Sequence, residues 1–282
     1  EIMEKAIKRY FPIFVLPMMI AFTLGFIIPF VEGVYLSFCK FTTVNDAKFI
    51  GFANYAKVFA DETFVHAFWY TAAFTVVSVI LINVLAFAVA LLLTKGFKGT
   101  NIFRTVFFMP NLIGGIVLGY IWQLLLNGIL MKFSRTLTYS STYGFWGLII
   151  LMCWQQIGYM MIIYIAGIQN IPGELIEAAE IDGATKWQIL KKVTIPMVMP
   201  SITVCTFLTL TNSFKLFDQN LALTNGEPSK MSEMLALNIF NTFYGRTGYE
   251  GVGQAKAVIF FILVTVIALT QNYLTRRKEV QQ

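Results

Sequence analysis

The sequence predicts an all-α membrane protein that crosses the bilayer six times, and three observations lead there. Of the 282 residues, 57% are hydrophobic and only 13% are charged, against about 25% charged in ordinary soluble domains. Five or six apolar runs reach the roughly 20 residues a helix needs to cross the hydrocarbon core. Segments of about ten alternating residues, the mark of a membrane barrel, are absent. Residues 1–282 therefore read as a single transmembrane domain embedded in a lipid bilayer.

The first span is expected over 11–38, behind Lys5, Lys8 and Arg9, and is interrupted by Pro17, Pro29 and Glu32. It lacks a small-residue cleavage site and is too long for a signal peptide, so it is expected to remain as an anchor. A polar stretch with a turn at Gly51 leads to span two, 67–94, which holds the isolated amide Asn83. His66, at its boundary, has no second titrating partner in view and reads as an interfacial structural residue. Span three, 103–126, carries Pro110, Asn111, Gly114, Gly115 and Gly119, residues that permit close helix approach or local unwinding.

Span four, 145–168, places Gln155, Gln156 and Tyr159 within one turn, beside Trp154. Polar groups at membrane depth must face protein or water. Two readings fit this band: a substrate cavity, or interhelical hydrogen bonds. Span five, 195–217, sets Thr209, Asn212 and Ser213 on one helical face by their three- and four-residue spacing, matching the band on span four. Span six, 255–274, ends in Arg276, Arg277 and Lys278.

Between spans four and five, residues 169–194 form a polar island. Pro172 suits a helix's first turn, and Glu174 and Glu177 then lie at the positive end of its dipole. Ala178 and Ala179 leave one surface nearly bare, and Gly183 can take the left-handed conformation that ends a helix. Thr185 can cap a second helix on which Trp187, Leu190 and Val193 share a face. The unit is a helical elbow, read either as a solvated loop with ordinary caps or as a docking element.

Charge orients the chain. The net charge is +6, yet the basic residues stand at the ends of apolar segments and form no patch interleaved with aromatics, so no nucleic-acid partner is expected. The segments 1–10, 95–104, 169–194 and 275–282 each hold three Lys or Arg, and the longer remainder holds nine. By the positive-inside rule both termini and the elbow are expected in the cytoplasm. Cys39, Cys153 and Cys205 fall at no metal or redox spacing and read as packing residues.

The run EAAEIDG (177–183), followed nine residues later by VTIP (193–196), resembles the EAA loop of the membrane subunits of binding-protein-dependent ABC importers. Glu177, Ala178, Ala179, Gly183 and Pro196 match that pattern, while Val193 and Ile195 stand where the family has Ile and Leu. FIGFANYAKVFADETF (49–64), span three and FDQNLALTNGEP (217–228) are further similar to sugar permeases of the maltose type. The resemblance implies a type I ABC importer permease fold. It also implies a second, different permease subunit, an ATP-binding cassette ATPase dimer, an extracytoplasmic sugar-binding protein and a location in a bacterial or archaeal plasma membrane. On that match Glu177, Ala178, Ala179, Asp182 and Gly183 are the residues that couple to the ATPase.

No G-x-x-x-x-G-K-[ST] run occurs, so ATP and magnesium are expected on the partner ATPase and no cofactor or catalytic residue in this chain. Neither H-E-x-x-H nor G-x-S-x-G is present, and the apolar runs hold no charged pair of the kind a proton relay uses. A polyol needs neutral donors and acceptors beside an aromatic face, so Gln155, Gln156, Tyr159, Thr209, Asn212 and Ser213 are the expected sugar contacts. A permease for glycerol phosphate or an amino acid, or an ATP-independent channel or secondary transporter, are the other readings.

Overall fold

The computed structural model describes residues 2–96 and 98–277; Lys278, counted above among the terminal basic residues, lies outside them. The chain is helical almost throughout. α1 (Ile2–Phe22) passes through a π-turn, Thr23–Ile27, into α2 (Ile28–Leu36). Pro29 falls in the first turn of α2, where a missing amide removes no bond. A two-rung hairpin of β1 (Cys39–Lys40) and β2 (Lys48–Phe49) follows, with Cys39 opposite Phe49. Then come α3 (Ala53–Phe59), α4 (Glu62–Leu93), α5 (Thr100–Phe108), α6 (Gly115–Leu130) and α7 (Ser141–Gln169). The remainder is α8 (Gly173–Ile181), α9 (Lys186–Ile189), α10 (Ile195–Met197), α11 (Met199–Phe214), α12 (Asp218–Leu223), α13 (Leu235–Gly245) and α14 (Glu250–Arg276).

Among the described residues, five helical segments are long and apolar enough to cross a membrane, and a bent pair makes a sixth. Two expected spans differ from what forms. The span expected over 103–126 forms as two helices, with the local unwinding its Pro and Gly residues permit, because the backbone leaves the α conformation from Met109 to Gly114. Pro110 offers no amide, Met109–Leu112 tightens to a 3-10 turn, and Gly114 is extended at φ −61°, ψ 142°. The span expected over 195–217 begins only at Met199, after a 69° bend from the Lys186–Met197 segment. Val198 leaves helical geometry between Pro196 and Pro200, each of which interrupts the amide ladder.

The chain divides into two compact units. One comprises the residues up to Asp61 together with Ile239–Phe260. Its interior is braced by Asn54, whose amide donates to the carbonyls of Ser37 (2.9 Å) and Cys39 (2.8 Å). A Cβ at Gly251 would strike the Cys39 carbonyl, so glycine there lets α14 approach the hairpin. Lys256, which falls inside the expected span six, is fully buried: its Nζ donates to Asp61 at 2.7 Å and to Thr242 at 2.8 Å. The sequence hides this pair because its members are 195 residues apart.

The other unit, Glu62–Asn238 and the residues from Phe261 on, is built around α4, α7 and α11. On α4, Phe74, Ser78, Ile82, Ala86 and Ala90 recur every fourth residue and are buried, a narrow seam of mostly small side chains. Gly158 of α7 has the Phe107 carbonyl where a Cβ would stand, so α5 lies directly on that helix. Gly115 and Gly119 of α6 do the same for α12: added Cβ atoms would meet Asp218 Cβ at 2.8 Å and Ala222 Cβ at 2.5 Å. The small residues of span three thus seat the short helix that follows span five.

Candidate functional site

The elbow is closed by backbone geometry. Ala184 N–H donates to the Ala179 carbonyl and Gly183 N–H to that of Glu180, both at 3.0 Å, the paired bonds of a Schellman cap. Gly183 sits at φ +75° with open space where a Cβ would be, so conformation rather than crowding calls for glycine. Thr185 caps α9, accepting from Gln188 N–H at 3.3 Å while Gln188 Oε1 accepts from Thr185 N–H at 2.7 Å. Of the five residues expected to couple, Glu177, Ala178, Asp182 and Gly183 are exposed and Ala179 is half-buried. Ile181 and Trp187 beside them are 86% and 69% exposed. Two rigid short helices therefore present an apolar pair on a charged surface.

The second feature is a cavity of about 290 Å³ where α7, the end of α11 and the start of α12 meet. Gln156, Asn212, Lys215, Asp218 and Gln219 supply its polar wall, and Met152, Leu216 and Phe217 its apolar one. Asn212 Nδ2 lies 3.5 Å from Gln156 Oε1, an amide pair bridging span four to span five. Gln155 stands behind this wall: its Oε1 accepts from Gln219 Nε2 at 2.8 Å, and its Nε2 donates at 3.3 Å to the Ile113 carbonyl freed by the break in span three.

Only part of the expected constellation comes together. Gln156 and Asn212 reach the cavity wall, and Gln155 is their buried neighbour. Tyr159 is half-buried with its ring 6.4 Å from that of Phe108. Thr209 and Ser213 do not line the cavity: Thr209, fully buried, accepts from Asn83 Nδ2 at 2.9 Å, and Ser213 is fully buried. The three-residue step from Thr209 to Asn212 turns the side chain far enough that only Asn212 reaches the opening. The cavity also differs in charge from the neutral band expected, because Lys215 and Asp218 line it.

Asp218 and Gln219 were missed because they lie past the expected end of span five, in a segment that reads as loop; Lys215, at the end of that expected span and just beyond α11, was not among the expected contacts. The glycines at 115 and 119 were the available signal, since bare positions on one helix imply a neighbour seated on them. Asn83, noted as an isolated polar residue, is the centre of an interhelical network: it also accepts from the Tyr164 hydroxyl at 2.6 Å.

Comparison with known proteins agrees with this architecture. The family model described as binding-protein-dependent transport system inner membrane component matches residues 82–280. The chain is 42% identical over 278 residues to the probable starch degradation products transport system permease protein AmyD of Thermoanaerobacterium thermosulfurigenes, covering 95% of this chain and 94% of that one. It is 31% identical over 273 residues to the alpha-glucoside transport system permease protein AglF of Rhizobium meliloti, covering 91% and 80%. A chain from the crystal structure of a bacterial ABC transporter involved in the import of the acidic polysaccharide alginate superposes with a TM-score of 0.81 at 22% identity, covering 98% of this chain and 99% of that one. At that identity the likeness speaks to the fold, that of a type I ABC importer permease. With the family pattern spanning four of the six expected spans and the elbow between them, the chain belongs to the binding-protein-dependent transport system inner membrane components.

Proposed function

We propose that this chain is one of two different permease subunits of an ATP-driven oligosaccharide importer, with a separate ATPase dimer below it and an extracytoplasmic sugar-binding protein above. The observation that carries the sugar reading is the 42% identity, sustained over 95% of the chain, to a permease named for starch degradation products. The amide pair Gln156–Asn212 at a membrane-embedded cavity supports it, since neutral hydroxyls are recognised by groups that both donate and accept.

ATP and magnesium bind on the ATPase, and motion enters through the elbow. Glu177, Ala178, Ala179, Asp182 and Gly183 seat in a groove of that partner, with Ile181 and Trp187 as apolar anchors, both exposed in this chain. Closure of the ATPase pair then displaces α8 and α9 as one lever, because the Schellman and Thr185 caps leave little freedom between them. The bend at Val198 passes that displacement to α11 and so to the cavity wall. Both termini and the elbow face the cytoplasm of a bacterial or archaeal cell.

The test is co-expression with the candidate ATPase, second permease and binding protein, followed by uptake of labelled oligosaccharides into proteoliposomes. ATP-dependent uptake that requires the binding protein is expected. Stable purification without any ATPase, or uptake independent of ATP, would overturn the reading.

A further inference from the structure

Resting on the sugar reading above, we infer that Asp218 and Gln219, carried on the short helix α12, form the hydroxyl-reading edge of the cavity, that Gln155 positions them, and that the cavity selects uncharged sugar rings over acidic ones.

The geometry begins with the seat of α12. Gly115 packs against Asp218 Cβ and the Gln219 amide, at 2.8 and 2.9 Å from where its own Cβ would stand. Both side chains therefore have a fixed origin on the cavity wall. Gln219 is further held through its Nε2 on Gln155 Oε1, and Gln155 is itself anchored on the Ile113 carbonyl. This chain of amides uses both ends of Gln155 and leaves Gln219 its Oε1 and a second N–H for a ligand. Gln155 thus acts through Gln219.

Asp218 is half-buried in the same wall, and among the described residues no hydrogen bond or ion pair engages its carboxylate. An ionised carboxylate accepts from two adjacent hydroxyls at once, the arrangement that vicinal diols of a pyranose present. Across the cavity Gln156 and Asn212 add amide donors and acceptors. The volume, about 290 Å³, lies near the lower limit of roughly 300–1,000 Å³ for small-molecule sites and suits one ring rather than a whole oligosaccharide.

The charges set the class of ring. Lys215 is exposed in the cavity lining and Asp218 half-buried beside it, so a uronate seated against Asp218 would bring a carboxylate against a carboxylate. A neutral ring meets no such repulsion and completes the acceptor set of Asp218.

The experiment uses the purified permease–ATPase complex without binding protein, probed by saturation-transfer NMR with maltotriose and with trigalacturonate. The wild type is expected to give transfer to maltotriose at least roughly tenfold above that to trigalacturonate. Asp218→Asn, which keeps the shape, should weaken maltotriose binding by roughly tenfold and narrow the preference. Gln155→Leu should weaken it too, and Gln155→Glu, which retains the acceptor for Gln219, should recover part of the loss. Thermal melts of each variant report folding separately. Equal transfer to both sugars in the wild type, or an unchanged preference in a folded Asp218→Asn complex, overturns the inference. If wild-type proteoliposomes import maltotriose while Asp218→Asn keeps its preference, only this inference falls; if they import no sugar, the sugar reading falls with it.

Discussion

The hydroxyl of Tyr164 donates to Asn83 Oδ1 at 2.6 Å, and the other end of the same amide donates to Thr209 at 2.9 Å and to the Val79 carbonyl at 2.8 Å. One side chain on α4 thereby ties α7 and α11 together inside the hydrocarbon. The polar character of Thr209 is spent on this network rather than on a solute.

Thr209→Val is accordingly expected to cost about 1 kcal/mol of stability, a typical interhelical hydrogen bond, and to leave sugar preference unchanged. Asn83→Leu takes the acceptor from the buried Tyr164 hydroxyl, while the Thr209 hydroxyl keeps its bond to the Cys205 carbonyl, and should cost about 1–3 kcal/mol. Thermal melts of the detergent-purified complex measure both. A Thr209→Val protein that melts like wild type but loses sugar binding would put Thr209 back at the cavity.

Gly158 has a backbone carbonyl, that of Phe107, where a Cβ would go. Gly158→Ala must push α5 off α7 and should cost about 1–3 kcal/mol as overpacking against a group that cannot rotate away. Gly128, inside α6, has nothing within 4 Å of its Cβ position. Gly128→Ala should be neutral or gain about 0.5–1 kcal/mol, and the contrast in melting temperature between the two alanines checks the packing.

At Gly183 the constraint is φ +75° in open space. Gly183→Val, β-branched and unsuited to that conformation, should deform the elbow at a cost of about 1–2 kcal/mol and uncouple ATP hydrolysis from transport. Gly183→Asn tolerates the left-handed region and should retain most coupling. The ratio of ATP hydrolysed to sugar imported is the measurement; equal ratios in all three proteins would remove the elbow from the coupling step.

Lys256 and Asp61 form an ion pair with the lysine fully buried. Lys256→Met takes the ammonium from a partly buried carboxylate and should cost about 3–5 kcal/mol, read as a fall in melting temperature and yield. Adding Asp61→Asn should restore part of the loss, since the carboxylate's charge is then gone. Non-recovery in the double variant would show that the ammonium's bond to Thr242 matters more than the pair.

The class of fold and the elbow were legible because their causes are local. Apolar runs long enough to cross a bilayer, Gly183 after a helix, and Thr185 ahead of one each act over a turn or a span, so the order of residues carries them. The cavity was half legible. Gln156 and Asn212 could be found because polar side chains in hydrocarbon are conspicuous, yet the same test admitted Thr209, whose partner Asn83 is 126 residues away. Asp218 and Gln219 escaped it, since beyond the end of a span a polar residue is unremarkable.

By itself, then, the sequence determined that this chain lives in a membrane as helices and displays a capped elbow of the importer type, because hydrophobic length and turn conformation are properties of neighbouring residues. Tertiary structure alone decided where spans three and five break, which amides meet, and that Lys256 is buried. Those outcomes depend on which distant carbonyl, glycine or carboxylate lies opposite, and in a bundle of apolar helices the hydrophobic pattern does not select the partner face.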